Sequence, residues 1–376
     1  MNLELTETQK MIQDTARNFA KSELDPVAAK MDQQGDRETF LKNLRKLGEL
    51  GLMAINCKEQ YGGSEAGVIA FSLAITEIGK ACASTGVTMS VNNMVCEVIQ
   101  AIGTEEQKKS YIPKIASGEY YAGGFGLTET MAGSDPSGMR TTAVLDGDSW
   151  VLNGTKIFIT SAEYAGVFVV WAVTDPKAPK GKGISTFLVE NGIKGFSVGR
   201  AEHKMGQHAS ATNELLFEDC RIPKTALMGK VNDGFRTAVG ELAGGRIGIG
   251  SLGLGIGQAA IEYATKYAMN RIQFDQPITN FQAIQWMIAE SYTELEAARL
   301  LLMNAAFKKE NGKFFAREAS MAKYYATEAA ERACHKAIQM LGGYGYTNEF
   351  PVERYARDVR ITSIYEGTNQ VQRLII

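Results

Sequence analysis

Near its midpoint the chain reads Val167-Phe168-Val169-Val170-Trp171-Ala172-Val173, a run of β-branched and aromatic residues typical of a β-strand. Similar short runs cover residues 150–152, 157–160, 184–189 and 214–217. Turn dipeptides such as Asp146-Gly147 and Asn153-Gly154 separate them, and no helical segment of useful length lies between them. This part of the chain therefore predicts an antiparallel barrel or sandwich, and not a Rossmann sheet.

Helical periodicity flanks the β-rich region on both sides. Before it, Thr6-Glu7-Thr8-Gln9 and Thr104-Glu105-Glu106-Gln107 both read as capping boxes that begin helices. After Asn232-Asp233-Gly234 the helical period returns and lasts to about Leu341. We therefore predict a multidomain α+β protein with a helical bundle over residues 1–121, a β domain over 122–230 and a second helix bundle over 231–376.

Composition excludes several classes of function. The 376 residues include 40 basic and 42 acidic side chains, and the net charge of -2 gives no reason to expect nucleic acid or an anionic membrane as a partner. The five cysteines lack CxxC spacing and the three histidines form no metal-binding pattern, so disulfides and metal sites are not expected. The N-terminus shows no targeting signal and no stretch is long enough to span a bilayer, which predicts a cytoplasmic protein.

A polar turn close to the C-terminus carries the strongest catalytic candidate. It reads Tyr365-Glu366-Gly367-Thr368-Asn369-Gln370. Glycine beside a glutamate lets the backbone approach a ligand while the carboxylate leans over it, which suits removal of a proton next to a carbonyl. Taken alone, a Glu-Gly pair is more often an ordinary surface turn.

A second candidate motif, a glycine pattern for dinucleotide binding, lacks the neighbouring strands that such a site requires. Gly248-Ile249-Gly250-Ser251-Leu252-Gly253 fits the GxGxxG pattern of dinucleotide-binding proteins. However, no apolar strand precedes it, and no strand with an acidic end follows about 20 residues later. The glycines continue a helical register instead, which predicts close packing between helices.

Several motifs, in order along the chain, resemble those of the acyl-CoA dehydrogenase family. Each is weak alone, but the ordered set is specific and spans essentially the whole chain. The motifs are Phe125-Gly126-Leu127-Thr128-Glu129 with Ala132-Gly133-Ser134-Asp135, Asn153-Gly154-Thr155-Lys156 with Ile159-Thr160, Arg271 with Phe274 and Gln282, Gln339 with Gly342-Gly343 and Gly345-Tyr346, Arg357-Asp358, and Tyr365-Glu366-Gly367-Thr368.

The resemblance implies an FAD enzyme of fatty acid β-oxidation, with a middle antiparallel β-barrel and a C-terminal four-helix bundle. Such an enzyme removes two hydrogens from adjacent carbons of an acyl-CoA thioester. Glu366 would take the proton next to the carbonyl while a hydride leaves the next carbon for flavin N5. The enolate oxygen needs donors already in place, in the family the backbone N–H of the base and a flavin ribityl hydroxyl. A carboxylate in such a dry pocket should have a raised pKa.

The resemblance also assigns binding residues. Thr128 would bond the pyrimidine part of the flavin and Phe158 would cover the ring, whereas the nucleotide part would be reached from the neighbouring subunit. Sharing FAD across a two-fold interface implies at least a dimer, and similar family members are homotetramers. The implied FAD set is Phe125, Leu127, Thr128, Phe158, Thr160, Arg271, Phe274, Gln282, Gln339, Gly343, Thr368 and Gln370. The implied substrate set is Ser134 and Arg246 on the CoA side, with Tyr365 and Gly367 beside the base.

Ordinary structural roles compete with these assignments. Phe125, Leu127, Phe158 and Ile159 fit a barrel core. Arg271 and Arg357 fit exposed cations near helix ends. The glycines 342, 343 and 345 fit a helix C-cap followed by a turn.

The acyl group is the least determined part of the function. The isovaleryl type of the family carries its glutamate just before the arginine equivalent to Arg246, and here that residue is Gly245, which leaves Glu366 as the base. The stretch 84–93 resembles the pocket helix of short-chain, butyryl-type members. Three departures, at Ala243, Thr130 and Phe158, replace the Asp, Pro and Trp common in the family. The small residues 243–245 suggest room for a branched or alicyclic acyl chain.

Two alternatives belong to other functional classes. An acyl-CoA oxidase of similar fold would pass electrons to oxygen, although the chain is short for one. A non-catalytic flavin- or CoA-binding paralogue would have no need of Glu366. As a dehydrogenase, the protein would pass electrons to electron-transferring flavoprotein.

Overall fold

The computed structural model describes residues 4–376, apart from the side chain of Glu241, and its first third is helical. The predicted capping boxes are confirmed. The Thr6 hydroxyl accepts a hydrogen bond from the Gln9 backbone N–H at 3.2 Å, and the Gln9 side chain accepts one from the Thr6 N–H at 3.0 Å. Thr104 and Gln107 form the same pair of bonds. The helices are α1 (Glu7–Phe19), continued by a π-helical turn (Ala20–Leu24), α2 (Ala28–Gln34), α3 (Arg37–Glu49), α4 (Gly67–Ala81), α5 (Ala83–Ile102) and α6 (Glu105–Ala116).

The middle of the chain folds into one eight-stranded sheet. Its strands are β1 (Ala122–Gly126), β2 (Thr142–Asp146), β3 (Ser149–Thr160), β4 (Ala165–Val173), β5 (Ile184–Glu190), β6 (Phe196–Ala201), β7 (Thr212–Pro223) and β8 (Leu227–Met228). The spatial order is β6-β7-β3-β2-β4-β5-β8, and β1 pairs with β4.

Most neighbouring strands are antiparallel, as predicted, but β2 pairs with β4 in parallel at Thr142 and Val173, and two further details differ from the sequence prediction. The β1–β4 pairing is parallel, because the chain crosses over through the β2–β3 hairpin between these two strands. Asn153-Gly154, predicted as a turn between strands, lies inside β3. The pairing of β3 with β7 shifts register there, with one residue of β3 opposite two of β7, so the dipeptide continues the strand across from a bulge in β7 and does not reverse the chain.

The C-terminal part is helical again. Its four longer helices, α7 (Gly234–Asn270), α8 (Gln282–Glu310), α9 (Ala316–Leu341) and α10 (Val352–Arg360), pack together, and the short α11 (Asn369–Ile375) lies against α9. The small hairpin of β9 (Ile272–Gln273) and β10 (Gln276–Pro277) joins α7 to α8. Within residues 4–376, no helix is both long and apolar enough to cross a membrane.

The glycines of α7 allow it to pack closely on both sides, as predicted. A β-carbon on Gly257 would lie 2.9 Å from Cα of Ala330 in α9. One on Gly250 would lie 2.7 Å from Leu302 in α8. Helix α7 also packs against α4 and α5 of the first domain. It therefore joins the two helical domains, and the turn that carries Glu366 lies beside it.

Candidate active site

The turn at residues 364–368 has a strained backbone that presents Glu366. Glu366 has φ of 55° and Gly367 has φ of 80°, both in the left-handed region. Residues other than glycine rarely adopt this conformation, so the strain lies at Glu366. The Thr368 hydroxyl accepts from the backbone N–H of Val371 at 3.2 Å and thereby caps α11. A non-glycine residue is held in this conformation because the flanking helical turn and α11 fix both ends of the segment.

The Glu366 carboxylate fits into a gap left by a glycine. A β-carbon on Gly245 of α7 would lie 2.8 Å from Oε2 of Glu366 and 2.9 Å from Sδ of Met94 in α5. Although Glu366 as a whole keeps partial exposure, Oε2 is buried and has no hydrogen-bond partner among the described residues. A buried carboxylate oxygen without a donor is free to accept a proton.

Burial and two cations set the protonation of this carboxyl group. Burial raises the pKa of Glu366 to about 7, against the opposing effect of the positive charges of Arg246 and Lys323. Its pKa therefore lies close to neutrality, where a general base is effective. This agrees in direction with the raised pKa expected from the sequence.

Arg246 lies close to the base and not on an open surface. It is 6% exposed, and its Nη1 donates to the Ser320 hydroxyl at 3.3 Å. Its Nε has no partner among the described groups. Burial lowers the pKa of Arg246, while the Glu366 charge raises it. The assignment of Arg246 to the CoA side stays a prediction.

The sequence reasoning missed Lys323, a fully buried lysine in α9. Its Nζ donates to the Gly367 carbonyl at 3.0 Å and to Asn369 Oδ1 at 2.9 Å. Burial lowers the pKa of Lys323 to about 7, the charge of Glu366 opposing this shift and that of Arg246 adding to it. A signal was present in the sequence, because this lysine falls on the apolar stripe of α9. That stripe comprises Ala319, Lys323, Ala326 and Ala330.

Tyr365 anchors the turn to the middle domain. Its hydroxyl accepts from Nε2 of Gln207 at 3.1 Å. Gln207 is itself held in the left-handed region, with φ of 51°, where its backbone N–H donates to the Asp358 carboxylate. Burial raises the pKa of Asp358 to about 6. The base is therefore fixed from α9 on one side and from the middle domain on the other.

One of the cavities brings together several residues predicted for the FAD nucleotide. It has a volume of about 500 Å³ and lies at the ends of α7 and α9, where the Arg271 guanidinium sits 5.7 Å from the ring centre of Tyr344. Gln339 and Gly343 also line it. The lining is Tyr267, Arg271, Gln273, Ile278, Gln339, Met340, Leu341, Gly342, Gly343, Tyr344 and Thr347.

Other residues of the predicted nucleotide set lie outside this lining. Phe274 is 86% exposed on the β9–β10 hairpin, with φ of 51°. Gln282 is exposed at the start of α8, and Gln370 is exposed on α11. Ser134, predicted for the substrate, is exposed in the loop after β1. Their roles stay predictions.

The residues predicted for the flavin ring differ in their surroundings. Leu127 is buried at 4% exposure, as the core interpretation expects, and so is Ile159 at 1%, which belongs to the core interpretation and not to the predicted flavin set. Phe125 is half-buried against Trp171, with ring centres 4.5 Å apart. Phe158 is 60% exposed with φ of 57° at an irregular point of the β3–β7 pairing. The core interpretation is therefore wrong for Phe158, whose side chain is largely exposed.

Thr128 and Thr160 both lie next to or in β3. The Thr128 carbonyl accepts from the Ile157 N–H at 2.9 Å, and Thr160 ends β3 opposite Thr212. Sequence reasoning missed the buried ion pair that supports this region. Nζ of Lys156 donates to Glu129 at 2.7 Å and to the Leu127 carbonyl at 3.3 Å.

Three family models match the chain in succession. They are described as the acyl-CoA dehydrogenase N-terminal domain, matching residues 6–119, the middle domain, matching 124–220, and the C-terminal domain, matching 232–376. A relative named short-chain specific acyl-CoA dehydrogenase, mitochondrial, from Bos taurus is 48% identical over 100% of this chain and 90% of its own length. Another, acryloyl-CoA reductase (NADH) from Anaerotignum propionicum, is 43% identical over 100% of this chain and 95% of its own length.

Solved structures match over the same extent. Butyryl-CoA dehydrogenase from Megasphaera elsdenii superposes with a TM-score of 0.96 and 39% identity, covering 100% of this chain and 98% of that one. A chain from work on the electron transferring flavoprotein of Acidaminococcus fermentans superposes with a TM-score of 0.97 and 46% identity, with the same coverage. An acyl-CoA dehydrogenase complexed with FAD from Bacillus anthracis superposes with a TM-score of 0.93 and 32% identity, covering 99% of this chain and 66% of that one. Because the similarity extends over all three domains and the whole chain, the protein belongs to the acyl-CoA dehydrogenase family.

Proposed function

We propose that the protein dehydrogenates a short-chain acyl-CoA thioester between its α and β carbons, with Glu366 as the base. The observation that carries this proposal is the buried Oε2 of Glu366, which has no hydrogen-bond partner among the described residues and lies in the gap at Gly245. A structural glutamate would be paired or solvated. The pKa of about 7 gives the carboxylate enough basicity to attack a weakly acidic α-proton near neutral pH.

The chain's own groups hold and move the proton. Glu366 Oε2 takes the α-proton, and its backbone N–H is the family's donor to the developing thioester oxygen. Arg246 and Lys323 keep part of the Glu366 population ionised despite its burial. The left-handed backbone at Glu366 and Gly367 fixes the direction of the side chain before substrate arrives.

The protein is an FAD enzyme, and the residues around Arg271 and Phe158 suit the two ends of this cofactor. The cavity beside Arg271 offers a cation and open backbone at Gly342 and Gly343, where a β-carbon would meet nothing within 4 Å. These features suit a pyrophosphate. The exposed ring of Phe158 suits a flavin face. When bound, FAD supplies the hydride acceptor that the chain itself lacks.

We favour a short straight acyl chain as the substrate class, because neighbouring side chains occupy the space beside Gly244 and Gly245 of α7. The space that small residues leave on α7 is already filled, by Glu366 and Met94 at Gly245 and by Lys309 at Gly244, where a β-carbon would lie 2.6 Å from Nζ. These contacts favour a straight acyl chain over the branched or alicyclic one that the small residues 243–245 suggest. The relative from Megasphaera elsdenii is named for butyryl-CoA, which fits this choice.

A structural neighbour supports a proposal for the electron acceptor, and exposed apolar residues support one for the oligomeric state. We propose electron-transferring flavoprotein as the acceptor, supported by the neighbour from Acidaminococcus fermentans. The α7–α8 hairpin exposes Met269, Phe274 and Trp286 by 60%, 86% and 60%, a surface that a second copy would cover in a dimer or homotetramer. Location in the cytoplasm stays a prediction.

Anaerobic titration of the purified holoenzyme with acyl-CoA substrates tests the proposal. Butyryl-CoA is expected to bleach the oxidised flavin spectrum more efficiently than longer, branched or cyclic thioesters. A spectrum that the thioesters perturb without bleaching would contradict dehydrogenation. Rapid peroxide release in air would favour an oxidase, and absence of bound flavin would favour a non-catalytic protein. Crotonyl-CoA with the reduced enzyme tests the reverse direction, which the name of the reductase relative raises.

A further inference from the structure

Lys323 is buried in a way that ordinary helix packing does not require. Its side chain is fully buried in α9, and its backbone lies close to Gly250 of α7, where a β-carbon would be 3.3 Å from Cα of Lys323. The side chain runs to the catalytic turn, where Nζ donates to the Gly367 carbonyl and to Asn369 Oδ1. A buried ammonium bonded only to neutral oxygens is costly, so this position calls for a compensating role.

The hydrogen bonds of Lys323 connect α9 to both ends of the segment that follows the base. Asn369, the first residue of α11, is 2% exposed and also donates from Nδ2 to the Thr327 hydroxyl at 3.0 Å. The Gly367 carbonyl accepts a second bond, from Nε2 of Gln372 at 2.8 Å. Lys323 therefore holds the carbonyl of the residue directly after Glu366 and the start of the next helix.

The charges that face Lys323 leave Glu366 as its principal electrostatic partner. Arg246 faces it from α7, and Glu328 and Glu331 face it from α9. The two α9 glutamates are already paired, Glu328 with Arg373 at 2.8 Å and Glu331 with Arg360 at 3.1 Å. Oε2 of Glu366, by contrast, has no hydrogen-bond partner in the part of the chain that the structure describes.

We propose that Lys323 is a positioning residue, which fixes the turn that presents Glu366 and supplies positive charge that favours its ionised form. This inference rests on the proposed function, since it requires Glu366 to be the base. When Glu366 takes the α-proton, the carboxyl group becomes neutral and the attraction to Lys323 is lost. Lys323 therefore moderates the basicity of Glu366 while it holds the geometry.

Two substitutions separate the two parts of this role. Lys323→Met keeps the length of the side chain but removes its charge and its donors. Lys323→Gln also removes the charge but keeps a donor that can reach toward Gly367. Lys80→Met is the matched control, because Lys80 forms a partly exposed ion pair with Glu262 between α4 and α7, away from the turn.

The readout is the pH profile of kcat/KM with butyryl-CoA, measured on variants that retain wild-type FAD content and unfold cooperatively on heating. Loss of the charge is expected to move the acidic midpoint of both Lys323 variants upward by about one pH unit. Lys323→Met is expected to lose roughly tenfold more in the limiting rate at high pH than Lys323→Gln, because it cannot hold the turn. The control is expected to match the wild type.

Failure of this inference can be distinguished from failure of the proposed function. Folded, FAD-loaded Lys323→Met with the wild-type midpoint and limiting rate would overturn the role of Lys323. If that variant does not fold, an unchanged midpoint in Lys323→Gln overturns it instead. Wild-type turnover in Glu366→Gln would instead overturn Glu366 as the base, whatever the Lys323 variants do.

Discussion

Gly245 of α7 and Glu366 of the C-terminal turn are in direct contact, so that a β-carbon on the glycine would lie 2.8 Å from the carboxylate Oε2. The glycine is required here for space and not for its backbone conformation, since it lies within a regular helix. The same position is the one where the isovaleryl type of the family carries its own glutamate. In this chain one residue makes room for the carboxylate that the other supplies.

Substitution of Gly245 by alanine is expected to displace the Glu366 carboxylate and lower kcat at least about tenfold, because catalysis depends on sub-ångström positioning. Alanine itself favours the helix by up to about 1 kcal/mol, which offsets part of the crowding. The matched control is Gly240→Ala in the same helix, where a β-carbon would meet nothing within 4 Å. Equal kcat values for both variants, measured by flavin-coupled assay, would contradict the contact.

The pH dependence of activity should report the carboxyl group of Glu366. Only the carboxylate accepts a proton, and burial raises its pKa to about 7. We therefore expect kcat/KM for butyryl-CoA to rise with pH and to reach half its limiting value near pH 7, within about one unit. A profile that is flat from pH 5 to 8 would show that another group limits proton removal.

The same burial should cost stability at alkaline pH. Since the folded-state pKa of Glu366 exceeds the unfolded value of about 4.3, the group favours folding most at low pH, and this contribution is lost as pH rises toward 7. Glu366→Gln is expected to raise the free energy of unfolding at pH 8 by about 1–3 kcal/mol and to have little effect at pH 4. The exposed Glu349→Gln serves as control, and a destabilised Glu366→Gln at pH 8 would contradict the sign.

Two adjacent residues of β3 should separate FAD binding from folding. Phe158→Ala removes an exposed ring, so we expect weaker FAD retention with little change in the stability of the apoprotein. Ile159→Ala removes a 1% exposed side chain, and it should cost about 2–4 kcal/mol of unfolding free energy. The measurements are FAD dissociation by fluorescence and denaturant unfolding. If Phe158→Ala binds FAD as the wild type does, the ring does not cover the flavin.

Local chemistry explains why part of the fold could be predicted from the sequence. The capping boxes at Thr6 and Thr104 depend on side chains three residues apart, and both form as expected. The glycines of residues 248–257 were correctly assigned to helix packing because their spacing continues a helix. The order of helical, β and helical regions follows from periodicity alone.

The failures arose where tertiary contacts override a local pattern. Asn153-Gly154 has the composition of a hairpin turn, yet pairing with β7 keeps it inside β3, opposite a bulge in β7. Phe158 lies in an apolar run, but the irregular pairing beside it turns its side chain outward. The role of Lys323 depends on a turn 44 residues further along the chain, and no short-range pattern indicates such a contact.

Single-turnover flavin reduction by butyryl-CoA in Glu366→Gln tests the central claim most directly. The amide keeps the size of the side chain but cannot accept the α-proton, so the account predicts an intact flavin spectrum, substrate binding and a rate of reduction at least about 1,000-fold below that of the wild type. Reduction within tenfold of the wild-type rate would contradict Glu366 as the base.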